Sequence, residues 1–243
     1  MGASWRLLDR LEKKPLSDSR KSRRKRNLGG AGCGGAGVNV AGNAVFLSGR
    51  SAVQYQVSPR GPVALDAVRN PLFGSAACSA VLRSLVTAPS TDLLEHEHAR
   101  VMARSLGAGD TLTTALAGGP TLATVFPSNN SLADQLRMVA RMVSTAAELG
   151  ARRQVFFVSL GGFDTHAGQS EVHPALLTRL AGALQAFQAA MAELRVADRV
   201  TTFTASEFGR TFTGTDGSDH GWGGSHLILG VQSTAGAFTA RRR

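Results

Sequence analysis

The sequence predicts an α/β fold in which a parallel sheet is flanked by helices. Two segments, "QVFFVSL" and "RVTTFTAS", are typical of strands, and between them lies a helix with an apolar stripe from Pro174 to Leu194. A continuous apolar run such as the first indicates a parallel strand that is covered on both faces. A crossover helix between two such strands predicts that they run parallel with a right-handed connection. A third strand is predicted at "SHLILGV".

The chain before this unit divides into two parts. Residues 1–37 carry a basic stretch and then a glycine-rich one, with too little apolar surface to offset the cost of ordering them. We therefore predict that 1–37 is disordered and that 38–240 forms the α/β domain. Within the domain, "VNVAGNAVFLSG" alternates apolar and polar residues, which predicts one or two short strands.

Two helices are predicted between these strands and the βαβ unit. The first begins at the N-cap Ser90 and stops at Gly107. The second begins at Ser131, which resembles a capping box together with Asp134, and Gly150 closes it. The stripe of the later crossover helix consists of Leu177, Leu180, Leu184, Phe187 and Met191.

The net charge of +10 is concentrated in two short runs. "RKSRRKR" at 20–26 holds six basic residues and "RRR" at 241–243 holds three, so the remainder of the chain is close to +1. Basic runs of this kind are often solvated tails, and no aromatic residues alternate with them to stack on bases. The charge therefore does not favour nucleic-acid binding, although that function stays open as an alternative.

Membrane insertion and secretion are not indicated by the sequence. It has no run of about 18 apolar residues, so we expect no membrane-spanning helix. The N-terminal basic cluster is followed by "NLGGAGCGGAG" and not by an apolar core, so it is not a secretory signal. As written, the chain is expected in the cytoplasm.

Polar side chains follow both strands of the βαβ unit. "GGFDTH" carries Asp164 and His166 after the first strand, and "SEFGRT" carries Glu207 and Arg210 after the second. The next loop adds four more candidates, Asp216, Asp219, His220 and His226. Ligands of open α/β sheets bind beyond the carboxyl ends of the strands, where these side chains are expected to meet.

Carboxylates and imidazoles with glycines between them are suited to a divalent ion such as Zn²⁺, Mn²⁺ or Fe²⁺. Any one of these acids or histidines could instead be a turn former or a cap. Three clusters that converge through the topology favour a metal site over that alternative.

Four motifs resemble a known family. "VAGNAVFLSG", "FFVSLGGFDTH", "FTASEFGRT" and "GSDHGWGG", in this order, are similar to the bacterial DUF1501 proteins, a domain of unknown function grouped with the alkaline phosphatase and sulfatase superfamily. The resemblance covers roughly Val38 to Phe238. It implies an alkaline-phosphatase-like parallel sheet, divalent metal ions, and phosphate or sulfate ester hydrolysis.

The resemblance also assigns roles to particular residues. By motif it implies four metal ligands, Asp164, His166, Asp219 and His220. It further implies that Glu207 is an acid in or beside the coordination sphere and that Arg210 binds the anionic group of the substrate.

The sequence departs from the superfamily pattern at both ends. In that superfamily an early strand supplies another Asp ligand and a Ser or Thr nucleophile follows it, but nothing before Gly161 matches this pattern. The family also continues beyond the final "GVQSTAGAFTARRR". We therefore expect a fragment that lacks its nucleophile and is inactive as a hydrolase, and a non-catalytic binding or structural domain stays open as an alternative. Family members often carry a twin-arginine export signal, so export of the parent protein stays open too.

Overall fold

The computed structural model describes residues 4–9, 35–42, 47, 54–63, 65–212 and 217–230. Within these ranges the strands are β1 Ser4–Asp9, β2 Gly35–Asn39, β3 Tyr55–Ser58, β4 Gly61–Pro62, β5 Arg153–Ser159, β6 Val200–Thr204, β7 Gly209–Arg210, β8 His220–Gly221 and β9 Ile228–Leu229. The helices are α1 Asp66–Arg69, α2 Ala76–Val86, α3 Leu93–Gly118, α4 Ser131–Ser144 and α5 Gln169–Glu193. The α/β class predicted from the sequence is confirmed.

Seven of these strands form one sheet in the order β4-β3-β2-β5-β1-β6-β9, and β7 and β8 form a separate two-stranded hairpin. Strand β2 runs parallel to both β3 and β5. Strand β1 is antiparallel to β5 on one side and to β6 on the other, and β9 is antiparallel to β6. The sheet is therefore mixed, and the parallel arrangement that was expected is found only among β2, β3 and β5.

The departure from a parallel arrangement has two sources, the insertion of β1 between β5 and β6 and the antiparallel edge strands β4 and β9. Strands β5 and β6 run in the same direction, as the crossover helix predicts, but they are not neighbours because β1 lies between them. A strand from the start of the chain that inserts beside residues 153–159 leaves no signal in the local pattern of either segment. Of the segment 1–37 that was predicted to be disordered, residues 4–9 and 35–37 are strand, and the rest lies outside the described residues.

The core lies where α4 and α5 pack against each other and α4 packs on β5. Alternate residues of β5 point into it, so Phe156 and Val158 are buried. The buried face of α5 contains Leu176, Leu180, Ala183, Leu184, Ala186, Phe187, Ala190 and Met191. Leu177 was expected in this stripe but is 52% exposed, because a shift of one residue turns a helical side chain by about 100°.

Helix α3 differs from its prediction at both ends. It begins at the N-cap Asp92, whose side chain accepts hydrogen bonds from the backbone N–H groups of Leu94 and Glu95. Its C-terminal end is Gly118, eleven residues beyond Gly107, where we expected it to stop. A glycine costs a helix only about 1 kcal/mol, and burial of later residues such as Leu112 outweighs that cost.

Helix α4 is capped by Asn130 and not by Ser131, because the Asn130 side chain accepts from the backbone N–H of Ala133. The helix ends at Ser144, and a turn that follows it closes at Gly150, whose φ is +64°. No helix in the described part of the chain is long and apolar enough to cross a bilayer.

Candidate metal site

The candidate site is built beyond the ends of β5 and β6 from two loops, the one between β5 and α5 and the one that connects β7 to β8 and carries Ser218 and Asp219. Asp164 and His166 lie in the loop that connects β5 to α5, and His220 begins β8. The hairpin pairs Arg210 of β7 directly with His220. A Cβ atom on Gly209 would lie 2.6 Å from the carbonyl oxygen of Gly221, so the close pairing of β7 and β8 requires glycine at 209.

Two imidazole rings converge on one carboxylate oxygen, Oδ1 of Asp164. The Nε2 atom of His220 lies 2.8 Å from Oδ1 of Asp164, and the Nε2 atom of His166 lies 3.3 Å from the same oxygen. Each of the three side chains offers a ligand atom within 4.8 Å of the others. Two ligand atoms that share a zinc ion, with bonds of about 2.0–2.2 Å, are separated by roughly 3 Å. The spacing and the chemistry of this donor set therefore fit one divalent ion.

Asp219 occupies a different place from the other three. Its Oδ1 atom lies 3.4 Å from Nδ1 of His166, which is the ring nitrogen that faces away from Asp164. The same oxygen accepts a hydrogen bond from the backbone N–H of His220 at 2.7 Å. In metal proteins a ligating histidine commonly bonds a carboxylate through its second nitrogen. The position of Asp219 matches that of such an outer partner.

The environment of Asp164 favours its ionised form. The hydrogen bond from His220 lowers the pKa of the Asp164 carboxyl, and the nearby imidazoles of His220 and His166 lower it further. The His220 ring is held by stacking on Phe208, with centroids 4.1 Å apart and an angle of 14° between the planes. The group is open to solvent, since 60% of the His166 side chain is exposed.

Not every predicted ligand belongs to this group. Glu207 and His226 are described, and neither is among the residues whose ligand atoms converge within 4.8 Å. Glu207 lies exposed in the loop that follows β6. Asp216 lies outside the described residues.

Arg210 lies beside the group and bonds to both of its loops. Its Nη2 donates to the carbonyl oxygen of Phe163 and to Oγ1 of Thr165, the latter at 3.5 Å. Its Nη1 donates to the carbonyl oxygen of Ser218. At least three of its N–H groups therefore bond to the protein itself.

Two residues at the start of α5 also reach the site, and the sequence interpretation missed them. Helix α5 begins at Gln169, five residues before the predicted start at Pro174. The Oε1 atom of Gln169 accepts from the backbone N–H and the hydroxyl of Ser218, both at 3.1 Å. The Nε2 atom of His173 lies 3.3 Å from Oγ1 of Thr165. The i,i+4 spacing of Gln169 and His173 was the available signal.

The surroundings of His173 favour the neutral imidazole. Burial lowers the pKa of His173, and the charge of Arg210 lowers it further. The oxygen of the Gln169 amide is taken by Ser218, so the amide nitrogen faces Nδ1 of His173 at 3.4 Å. The amide nitrogen is a donor, so Nδ1 of His173 acts as the acceptor. The proton of a neutral His173 is then on Nε2, which donates to Thr165.

Comparisons with known proteins bear on the same region. No curated protein and no solved structure matches the chain. The relation to alkaline phosphatases and sulfatases therefore stays a prediction. One family model matches a segment that contains Asp164, His166 and His220. Residues 123–239 match the model of the family described as "Protein of unknown function (DUF1501)", which supports the resemblance of the three motifs that lie in this segment.

Proposed function

We propose that the protein binds one divalent metal ion through Asp164, His166 and His220. The observation that carries this proposal is the approach of two imidazole Nε2 atoms to the same carboxylate oxygen, at 2.8 and 3.3 Å. Two imidazoles and one carboxylate suit Zn²⁺, Mn²⁺ or Fe²⁺. Three protein ligands leave a further coordination position for water or substrate, as in catalytic zinc sites.

Asp219 has a supporting role in this proposal. Its carboxylate holds the His166 ring through Nδ1, so that Nε2 is directed to the ion. The hydrogen bond from His220 lowers the pKa of Asp164, and the ionised carboxylate is the form that binds cations. Phe208 restricts rotation of the His220 ring by stacking on it.

The activity that we propose for this site is hydrolysis of a phosphate or sulfate ester with water as the nucleophile, a route that does not need the Ser or Thr side chain whose absence led us to expect an inactive chain. A bound divalent ion polarises an ester oxygen and lowers the pKa of a water molecule. The chain contributes the orientation of the two imidazoles and of the Asp164 carboxylate. The support for the reaction class is the resemblance of the "GGFDTH", "SEFGRT" and "GSDHGWGG" motifs to a family grouped with ester hydrolases.

The exposure of the site favours a second candidate, a metal-dependent binding domain without catalysis. The side chains of His166 and His220 are 60% and 46% exposed. Catalysis gains most where water is excluded and electrostatic interactions are strong. An open site of this kind could instead hold an ion that bridges to a partner.

Metal titration and ester turnover, measured together, distinguish these candidates. The full chain is titrated with Zn²⁺, Mn²⁺ and Fe²⁺ beside two variants, Asp164→Asn at the site and Asp198→Asn at an exposed ion pair elsewhere. Aryl phosphate and aryl sulfate esters serve as substrates. Turnover that requires both metal and Asp164 supports the hydrolase. Metal binding without turnover supports the binding domain, and equal affinity in wild type and Asp164→Asn contradicts the site itself.

A further inference from the structure

We propose that Arg210 is a positioning residue that clamps together the two loops of the metal site. The inference rests on the proposed function and extends it to a residue that does not touch the ion. The guanidinium group bonds the carbonyl oxygens of Phe163 and Ser218, which immediately precede Asp164 and Asp219. Its contact with Thr165 lies between Asp164 and His166 in the chain.

The chemistry of arginine suits this task. Phe163 and Ser218 are 55 residues apart in sequence, and their carbonyl groups both accept from one planar group with two terminal nitrogens. The five N–H donors of a guanidinium lie in a rigid fork, so one side chain can fix the distance between two loops. A lysine has a single nitrogen on a flexible stem and cannot hold both acceptors in the same plane.

Arg210 is itself fixed relative to His220. Its backbone N–H donates to Gly223 at 2.7 Å, and its carbonyl accepts from the N–H of Gly223 at 3.0 Å. The guanidinium carbon lies 5.1 Å from the centroid of the Phe208 ring, and the same ring stacks on the His220 imidazole. The clamp therefore transmits the position of the hairpin, with His220, to the loop that carries Asp164.

Helix α5 supports the same two loops from its first two turns. Gln169 binds the N–H and hydroxyl of Ser218, and His173 binds the hydroxyl of Thr165. Ser218 and Thr165 are therefore each held twice, once by Arg210 and once by a residue of α5. This double attachment is the arrangement expected of groups that set the spacing of ligands.

A clamp and an anion-binding arginine make different predictions for a lysine variant. A lysine keeps the positive charge, so it preserves much of the attraction to a phosphate or sulfate group. It does not preserve two bonds to two loops. Arg210→Lys therefore separates the clamp from the anion-binding role that the family resemblance implies.

The test compares Arg210→Met and Arg210→Lys with wild type and with Arg137→Met, a control at an exposed ion pair on α4. The first readout is the Zn²⁺ dissociation constant, measured by competition with a chromophoric chelator. The second is the ring ¹⁵N and ¹H chemical shifts of His166 and His220 in the metal-free protein. Added guanidinium ion, far below denaturing concentration, tests chemical rescue of Arg210→Met.

Both Arg210 variants are expected to bind Zn²⁺ about 10-fold or more weakly, as for loss of other outer contacts of metal ligands. Arg137→Met should match wild type, and guanidinium should restore part of the affinity of Arg210→Met. Wild-type affinity in Arg210→Lys would overturn the clamp and leave the metal site standing. If Arg210→Met does not fold, Arg210→Lys decides alone.

Failure of the metal site gives a different result. If wild type binds no metal, the proposed function fails, and the metal-free spectra then decide on Arg210. Altered His166 and His220 signals in the two variants, with partial recovery in guanidinium, would support the clamp. Unchanged signals would overturn it.

Discussion

Gln135 of α4 binds both backbone groups of Ser159, the last residue of β5. Its Nε2 donates to the Ser159 carbonyl oxygen and its Oε1 accepts from the Ser159 N–H, each at 2.9 Å. Strand β2 pairs with β5 only as far as Phe157, so its ladder ends before Ser159. The side-chain amide takes the place of the next residue of β2 and fixes the point at which the chain enters the Asp164 loop.

Replacement of Gln135 by leucine should therefore destabilise the protein. Gln135 is only 7% exposed, and its loss leaves a backbone donor and acceptor unsatisfied, at a cost of about 2 kcal/mol. Urea unfolding of Gln135→Leu measures this cost, with Gln185→Leu on the exposed face of α5 as a control. Equal stability of the two variants would show that water replaces the Gln135 amide.

Replacement of Gln154 by leucine should have the opposite effect on stability. Gln154 is fully buried on β5, and neither its amide nitrogen nor its amide oxygen has a hydrogen-bond partner among the described residues. A buried polar group without partners costs about 1–3 kcal/mol. Gln154→Leu should therefore raise the free energy of unfolding by about 1 kcal/mol or more. A loss of stability in the urea transition would mean that the amide is satisfied in solution.

The carboxylate of Glu193 predicts a pH dependence of stability. It accepts hydrogen bonds from the backbone N–H groups of Ala123 and Thr124 and from the Thr124 hydroxyl. The Thr124 hydroxyl, followed by the two N–H groups, lowers the pKa of Glu193 in the folded protein. A lowered folded pKa contributes stability above the unfolded value of about 4.3, and this contribution is lost as the pH falls through the folded pKa.

The variant Glu193→Gln checks this contribution. It should be less stable than wild type at neutral pH, and the difference should shrink as the pH falls below about 4.3, the pKa of Glu in the unfolded chain. Denaturation curves recorded from neutral to acidic pH measure the difference, with Glu148→Gln at an exposed position as control. A stability difference that is independent of pH would contradict the role of the charged carboxylate.

The buried face of α5, which does not include the predicted residue Leu177, gives a fourth prediction. Phe187 is fully buried in the core, whereas Leu177 on the same helix is 52% exposed. Phe187→Ala should lower the free energy of unfolding by about 3–5 kcal/mol. Leu177→Ala should change it by only about 0.5 kcal/mol or less. A large loss of stability in Leu177→Ala would show that Leu177 belongs to the buried face of α5, as the sequence pattern indicated.

The sequence was informative where local pattern and topology agree. The apolar run before Asp164, the crossover helix and the strand before Glu207 predicted the β5-α5-β6 order that the structure has. Because β5 and β6 run in the same direction, their ends face the same edge of the sheet. That geometry brings the "GGFDTH" loop to the hairpin that contains His220.

Other features depend on contacts that a local pattern does not encode. The antiparallel insertion of Ser4–Asp9 is a long-range pairing. The place of Asp219 behind His166, instead of beside Asp164, is set by the path of the hairpin. The start of α5 at Gln169 was hidden by Pro174, the sixth residue of the helix, which the sequence pattern placed at its first position.

Metal content of the purified protein, measured by elemental mass spectrometry, tests the central claim most directly. Wild type is compared with His220→Ala, which removes one proposed ligand, and with His226→Ala, an exposed histidine outside the group. We predict close to one divalent ion per chain in wild type and in His226→Ala, and its loss in His220→Ala. Folded wild-type protein without metal, or an unchanged metal content in His220→Ala, would contradict the account.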